Sequence, residues 1–378
     1  MSPPGPVAPA FPPSIPSLDY GARMRMAARF QDQNKPKSFG DTAMQLDADI
    51  YVGGALHRML KWQAGVTISY PGVVPSAAAA PTAGAPAVLP LDVLAKFEPL
   101  PEFNIYMGRM IVVADRYTPS GPWGMDEFFY PGVFTGSATA AHPASALQKS
   151  SQTGRDLGFN VWGALLGGTV KYYLGSYQFH DPANSPLWSG RLQVSLLSPE
   201  PGFYQRTTYY GTKDLLSFGV GGQYQKNGSV TSMAGPPAMM GGMPTSIPVL
   251  KDHAYFTADV NFEKRLGDAG TLQIYGAYNN WFADNRVWKN FFHASVGWTF
   301  PQIVGIGKFR PDIRFQQGTL NATDSDPSRI IDVQLSYVMM DWFARVNIGY
   351  RNISTYNAAS KTNDPGNMLW FGLLYADP

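Results

Sequence analysis

Apolar and polar side chains alternate along most of this chain, most cleanly in HAYFTADVNFEKRLGDAGTLQIYGAYNNWF, residues 253–282. Ala254, Phe256, Ala258, Val260 and Phe262 interleave with Tyr255, Thr257, Asp259, Asn261 and Glu263. After a Gly/Asp turn at 266–270, Leu272, Ile274 and Gly276 interleave with Gln273, Tyr275 and Asn279. A period of two predicts two antiparallel strands, each with one apolar and one polar face. Strands of soluble sandwiches run to about five or six residues, and these runs are roughly twice as long. That length suits membrane-barrel strands of about nine to eleven tilted residues, apolar toward lipid and polar toward a water-filled lumen.

The same pattern predicts sixteen strands, at 20–31, 43–54, 61–70, 91–99, 102–110, 155–163, 168–178, 188–198, 213–225, 253–264, 270–282, 288–300, 308–319, 329–339, 342–353 and 367–376. Connections at 57–60, 100–101, 164–167, 265–269 and 340–341 are short, and those at 32–42, 71–90, 111–154, 179–187, 226–252, 320–328 and 354–366 are mostly longer. Short and long alternate, except that 199–212 and 301–307 are of medium length where a short turn is expected. An even strand count with turns at one end and loops at the other predicts an all-β transmembrane antiparallel barrel over residues 20–378, both termini on the periplasmic, short-turn side. Residues 1–19 read as a Pro-rich periplasmic leader.

Residues 111–154 alternate little, and loops of that length are usually functional or disordered. Tyr117, Trp123, Phe128, Phe129, Tyr130 and Phe134 favour an ordered segment, packed into the lumen as a constriction or plug. Aromatics near strand ends, among them Trp62, Tyr70, Trp281, Trp288, Trp298, Trp342, Tyr350 and Tyr375, predict two interfacial girdles.

Composition narrows the classes. With 15% charged residues and a mean hydropathy of −0.16 the chain is too polar for a bundle of membrane helices. Its long uncharged stretches, 62–91, 128–148 and 229–250, are each broken by Pro and Gly. A net charge of +2 without a basic stripe argues against nucleic acid. With no cysteine, disulfides and thiolate chemistry are excluded, and the five scattered histidines show no metal-ligand spacing. No cofactor is expected. MSPPGPVAPAFPPSIPS has neither a basic region nor an apolar core, so the numbering is expected to begin at a processed N-terminus.

Candidate chemistry lies on the polar faces. Residues 20–31 place Met24, Met26, Ala28 and Phe30 on one face and Arg23, Arg25 and Arg29 on the other. Alternate arginines on one strand make a column of cations about 7 Å apart. Such a ladder selects anions by exchanging water for guanidinium hydrogen bonds without binding too tightly for exit. The alternative is that they pair with Asp47 and Asp49 on the next strand and only satisfy the wall. Lys96, Arg191 and Arg314 join the candidate pore lining. Arg116, Asp126 and Glu127 are candidates for the constriction, against a role as loop-to-wall salt bridges. Gly219, Gly221 and Gly222 within one strand leave room for an inward loop.

The order of LDVLAKFEPLPEFNIYMGRM, a long loop, RDLGFNVWGALLGGTVKYYLGSYQF and SGRLQVSLLSPEPGFYQRTTYYGTKDLLSFGVGGQYQ resembles the phosphate-selective porin O and P family of Gram-negative outer membranes. The resemblance covers roughly residues 20–226 and continues by pattern alone. It implies a sixteen-stranded homotrimeric porin whose third extracellular loop narrows an arginine-lined pore. The chain departs from that family in mixing its inward arginines and lysines with Asp47, Asp49, Asp92, Glu98, Asp259, Glu263, Asp312 and Asp332, which weakens an anion filter. His293 and Ser295 in FFHASVGW share a face, as a base and its nucleophile do in outer-membrane phospholipases, but that family's following Asn-Gly is missing, and no enzyme is expected.

The reading is an outer-membrane passive channel for small hydrophilic solutes with mild anion preference, in contact with bilayer and lipopolysaccharide. The alternative is a structural platform in an envelope complex, with the leader and the Pro-rich segments 71–90 and 233–248 docking protein partners.

Overall fold

The computed structural model describes residues 17–32, 41–70, 87–131, 154–178, 185–234, 246–282, 288–320, 326–341, 343–357 and 360–376. Sixteen strands follow one another: β1 (Ser17–Gln31), β2 (Asp41–His57), β3 (Leu60–Tyr70), β4 (Ala87–Leu100), β5 (Phe103–Ile111), β6 (Arg155–Leu165), β7 (Val170–Tyr177) and β8 (Leu187–Ser195), then β9 (Leu215–Ala234), β10 (Ser246–Arg265), β11 (Thr271–Trp281), β12 (Trp288–Thr299), β13 (Lys308–Leu320), β14 (Ser328–Val338), β15 (Ala344–Asn357) and β16 (Thr362–Ala376). One short helix, α1 (Tyr117–Gly124), lies between β5 and β6. Each strand pairs antiparallel with its sequence neighbours, and β16 returns to β1 with Arg25 opposite Leu374, closing the barrel as expected. Closure leaves no unpaired sheet edge, a condition that lipid imposes on any sheet.

The two faces are inverted relative to a soluble protein. Along β14 the buried positions are Ser328, Ile330, Asp332, Gln334, Ser336 and Val338, while Ile331, Val333 and Leu335 point outward. Arg310 and Arg345 have no exposed surface, whereas Leu174 is 60% exposed and Phe371 52%. A charged interior inside an apolar shell is stable only where the shell faces lipid.

Two expectations need correction. Residues 226–252 are mostly not a loop: β9 and β10 continue past them, paired as far as Ala234 with Ser246. Turn-forming Asn227 and Gly228 mark a bulge, where Asn227 takes φ 55° and its N–H donates to Asp252 Oδ1 at 2.9 Å. A bulge carries the same local residues as a turn without reversing the chain. Part of the proposed docking stretch 233–248 is therefore strand, and 235–245 lies outside the described residues, as do the leader up to 16 and most of 71–90. Trp281 belongs to no girdle, because its side chain is buried inside against Tyr255. Trp342 and the side chains of Tyr70 and Trp288 lie outside what is described, while Trp298 and Tyr350 take outward positions.

Candidate functional site

Beyond β5 the chain turns inward. The N–H of Val112 donates to Gly154 O at 3.0 Å, Ser189 donates to Val113 O, and a Cβ on Gly221 would fall 2.1 Å from Ala114 O. The loop backbone thus lies directly on β9, a fit that only glycine allows. Asp115 then receives the N–H of Thr118 at 2.8 Å and starts α1.

The segment after α1 reaches the wall eight strands away from β5, half the circumference. Asp126 accepts from Arg310 of β13, Nε at 2.8 Å and Nη2 at 2.5 Å. Gln334 of β14 accepts the Phe128 N–H at 2.9 Å, and Arg314 Nη2 donates to Phe129 O at 2.9 Å. Glu127 accepts from Tyr117 and lies 3.8 Å from Arg314. Phe128 packs where a Cβ on Gly372 of β16 would come within 2.5 Å of its ring.

A second segment meets it from the opposite end. The connection 196–214 between β8 and β9 folds into the barrel, burying Glu200, Phe203, Gln205, Thr207, Thr208, Tyr209 and Tyr210. Arg116 is clasped by Glu200 through two bonds, Nη2 to Oε1 at 2.6 Å and Nη1 to Oε2 at 3.1 Å, and it also donates to Arg206 O at 2.9 Å. Thr207 exchanges bonds with the loop, donating its N–H to Gly124 O at 3.0 Å and accepting that of Asp126 at 2.8 Å. Glu263 of β10 caps the same connection through the N–H groups of Tyr209 at 2.7 Å and Gly211 at 2.6 Å.

Burial by itself would push the Glu200 carboxyl up, but Arg116, then Lys171, then hydrogen bonds from Arg116 and Tyr209 outweigh it and hold it down at about 2. The group is depressed in the fold, so its stabilisation is complete above the ordinary value of 4.5 and disappears as pH falls through about 2. Urea unfolding followed by tryptophan fluorescence should therefore show the clasp's contribution undiminished above pH 5, declining progressively below about pH 4.5 and gone near pH 2. Loss of that contribution already at pH 5 would contradict the assignment.

These two segments fill the interior beside β6 through β15, and the wall from β1 to β4 is left partly exposed. Arg23, Arg25, Arg29, Gln45, Asp47, Tyr51, Lys61, Gln63, Lys96 and Glu98 are all half-buried there. Tyr204, on the inward connection, keeps 45% of its surface exposed.

The candidate residues divide between the two regions. On the open side, Arg25 pairs with Asp47 at 2.7 Å, and Asp47 also accepts from Gln45 at 2.9 Å and Ser69 at 2.7 Å. Arg23 has no carboxylate partner among the described residues and lies over the rings of Tyr51 (4.9 Å) and Trp123 (5.6 Å). Arg29 has neither ion pair nor hydrogen bond among them, and Lys96 donates to Gln63 at 2.7 Å. Asp49, Arg116, Asp126, Glu127, Arg191 and Arg314 are instead buried, none more than 6% exposed. Arg191 is locked to Asp259 at 2.5 Å and Arg314 to Asp332 at 2.8 Å. Pore lining does not describe Arg116, Asp126, Glu127, Arg191 and Arg314, because in a filled half-lumen a charge must pair with wall or loop to survive desolvation. Asp49 lies on β2 opposite Arg23, on the open side, and is nevertheless buried there.

Glu200, Tyr204 and Arg206 escaped the sequence reading. The available signal was the excess length of 199–212, whose Tyr-rich FYQRTTYY is more than a turn requires.

No protein-family model and no curated protein matches the chain. Among solved structures, the barrel is similar to OprB of Pseudomonas putida in its high-pH structure, with TM-score 0.60, 8% identity and coverage of 95% of this chain and 94% of that one. In-vitro folded OmpT, an outer membrane protein of Vibrio cholerae, gives TM-score 0.57 and 13% identity, covering 96% and 98%. The anion-selective porin from Comamonas acidovorans gives TM-score 0.55 and 12% identity, covering 96% and 100%. At such identities the likeness is one of fold. An even-stranded closed barrel with an apolar exterior is a bacterial outer-membrane architecture.

Proposed function

We propose that the barrel is an outer-membrane porin, a passive diffusion channel for small hydrophilic solutes with mild anion preference. The observation that carries this reading is the contrast inside the barrel. One side is packed dry by the 112–131 loop and the 196–214 connection, while polar, partly exposed side chains line the β1–β4 side. The inward loop acts as the constriction.

The sign of the preference comes from Arg23, Arg29 and Lys96, cations on that side with no carboxylate partner among the described residues. Asp47 and Glu98 neutralise Arg25 and Lys61. Membership of the phosphate-selective porins draws less support, since Arg116, Arg191, Arg310 and Arg314 are spent on internal pairs. Catalysis has no support at His293 and Ser295, both at most 2% exposed, the former among the rings of Tyr117, Tyr275 and Phe291. A homotrimer belongs to the same reading and is checked by the native mass in mild detergent.

Planar-bilayer recording tests the channel. Discrete steps are expected, with a reversal potential in a salt gradient on the anion side. A unit charge about 4 Å from a permeating ion is worth about 1 kcal/mol in water, roughly fivefold in local concentration. Arg23→Ala with Arg29→Ala should therefore lower the anion-to-cation permeability ratio several-fold, and more than neutralising the Arg25–Asp47 pair together. Equal effects would remove the basis for the anion preference, and a folded, inserted barrel without conductance would favour the platform reading.

A further inference from the structure

We propose that the passage holds a binding site for small aromatic carboxylates, at the corner where the inward loop meets β1 and β16; the proposal rests on the channel reading above. Arg29 of β1 stands opposite Trp370 of β16 in the ladder, and both side chains take inward positions. Among the described residues neither Arg29 Nε nor Trp370 Nε1 has a hydrogen-bond partner, so two donors on facing residues have no acceptor there. Apolar surface adjoins them: Phe129 meets Trp370 edge-on with centroids 5.5 Å apart, and Phe128 meets Phe129 in the same way at 5.1 Å. Phe129 is only partly buried.

The neighbouring arginines show what this corner accepts. Arg25 lies 5.7 Å from the centre of the Phe128 ring and is neutralised by Asp47. Arg351 lies 5.3 Å from that of Phe129 and is neutralised by Asp332. Arg25 and Arg351 thus each have both an aromatic surface and a carboxylate, whereas Arg29 forms no ion pair with a carboxylate among the described residues. A chloride ion would supply charge alone. An aliphatic carboxylate would add the two-oxygen geometry that matches a guanidinium fork. An aromatic carboxylate also brings a ring to set against Phe129, completing at Arg29 the arrangement its neighbours already have.

The test uses benzoate, with acetate as the charge without the ring and benzyl alcohol as the ring without the charge. Binding to the detergent-solubilised protein is measured by calorimetry, and interruption of the chloride current is recorded in bilayers. Benzoate is expected to bind about tenfold more tightly than either control. Arg29→Gln should abolish the advantage over benzyl alcohol, and Phe129→Leu, which keeps an apolar side chain, should abolish the advantage over acetate. Benzoate and acetate binding within twofold of each other in a conducting channel would overturn the site and leave the channel standing. Absence of conductance would overturn the channel reading, and calorimetry would still decide the site.

Discussion

Replacing Glu200 with alanine is expected to cost about 3–5 kcal/mol and to make channel currents noisy, because it leaves the Arg116 guanidinium buried without a counter-charge. Arg116 has no exposed surface, and its other partners, Arg206 O and Ser217 Oγ, are neutral. The same clasp joins the two segments that enter the barrel from opposite ends, so its loss should let both fluctuate. Replacing both partners with methionine tests the cause. Apolar side chains of similar volume leave no stranded charge and are often neutral or better, so Arg116→Met with Glu200→Met should recover most of the stability. Urea unfolding monitored by fluorescence supplies the first readout, and open-channel noise the second. A Glu200→Ala variant as stable and as quiet as the parent would mean that the segments are held by their backbone bonds alone.

The barrel was legible because its rule is local. Period-two alternation places Arg23, Arg25 and Arg29 on one face and Met24, Met26 and Ala28 on the other, whatever the rest of the chain does. Closure adds only nearest-neighbour pairing, so Arg25 opposite Asp47 follows from a single hairpin register. The interior obeys no such rule. Arg116 meets Glu200 at a separation of 84 residues, and Asp126 meets Arg310 at 184. No periodicity relates positions in a loop to positions on a wall half a circumference away. The inward course of 196–214 had a symptom in its length but no direction, since an over-long turn can equally extend into solvent. Burial then decided which arginines stayed available: the side filled by loop and connection consumes its charges in pairs, and on the side left open Arg23 and Arg29 have no carboxylate partner among the described residues.

Asp332 holds the largest debt of charge on the filled side, and Asp332→Ala is expected to be the most damaging single substitution in the barrel wall. Its carboxylate faces two guanidinia, Arg314 at 2.8 Å and Arg351 at 2.5 Å, and also accepts from Gln316 at 2.6 Å. All three charged groups are at most 4% exposed, so the substitution strands two cations in a dry site at once. The loss should exceed the roughly 3–5 kcal/mol of one broken buried pair. It should appear as a lower yield of refolded, heat-modifiable barrel and an earlier urea midpoint. Adding Arg351→Met removes one stranded charge and should restore part of the stability, since the remaining Arg314 still donates to Phe129 O and lies near Glu127. Protein that does insert should show greater anion preference than the parent, because Arg351 stands close to Arg29 and would then be uncompensated. If the yield falls while reversal potentials stay unchanged, the Arg351 corner does not communicate electrically with the passage, and the conduction path must run nearer β3 and β4, beside Lys61 and Lys96.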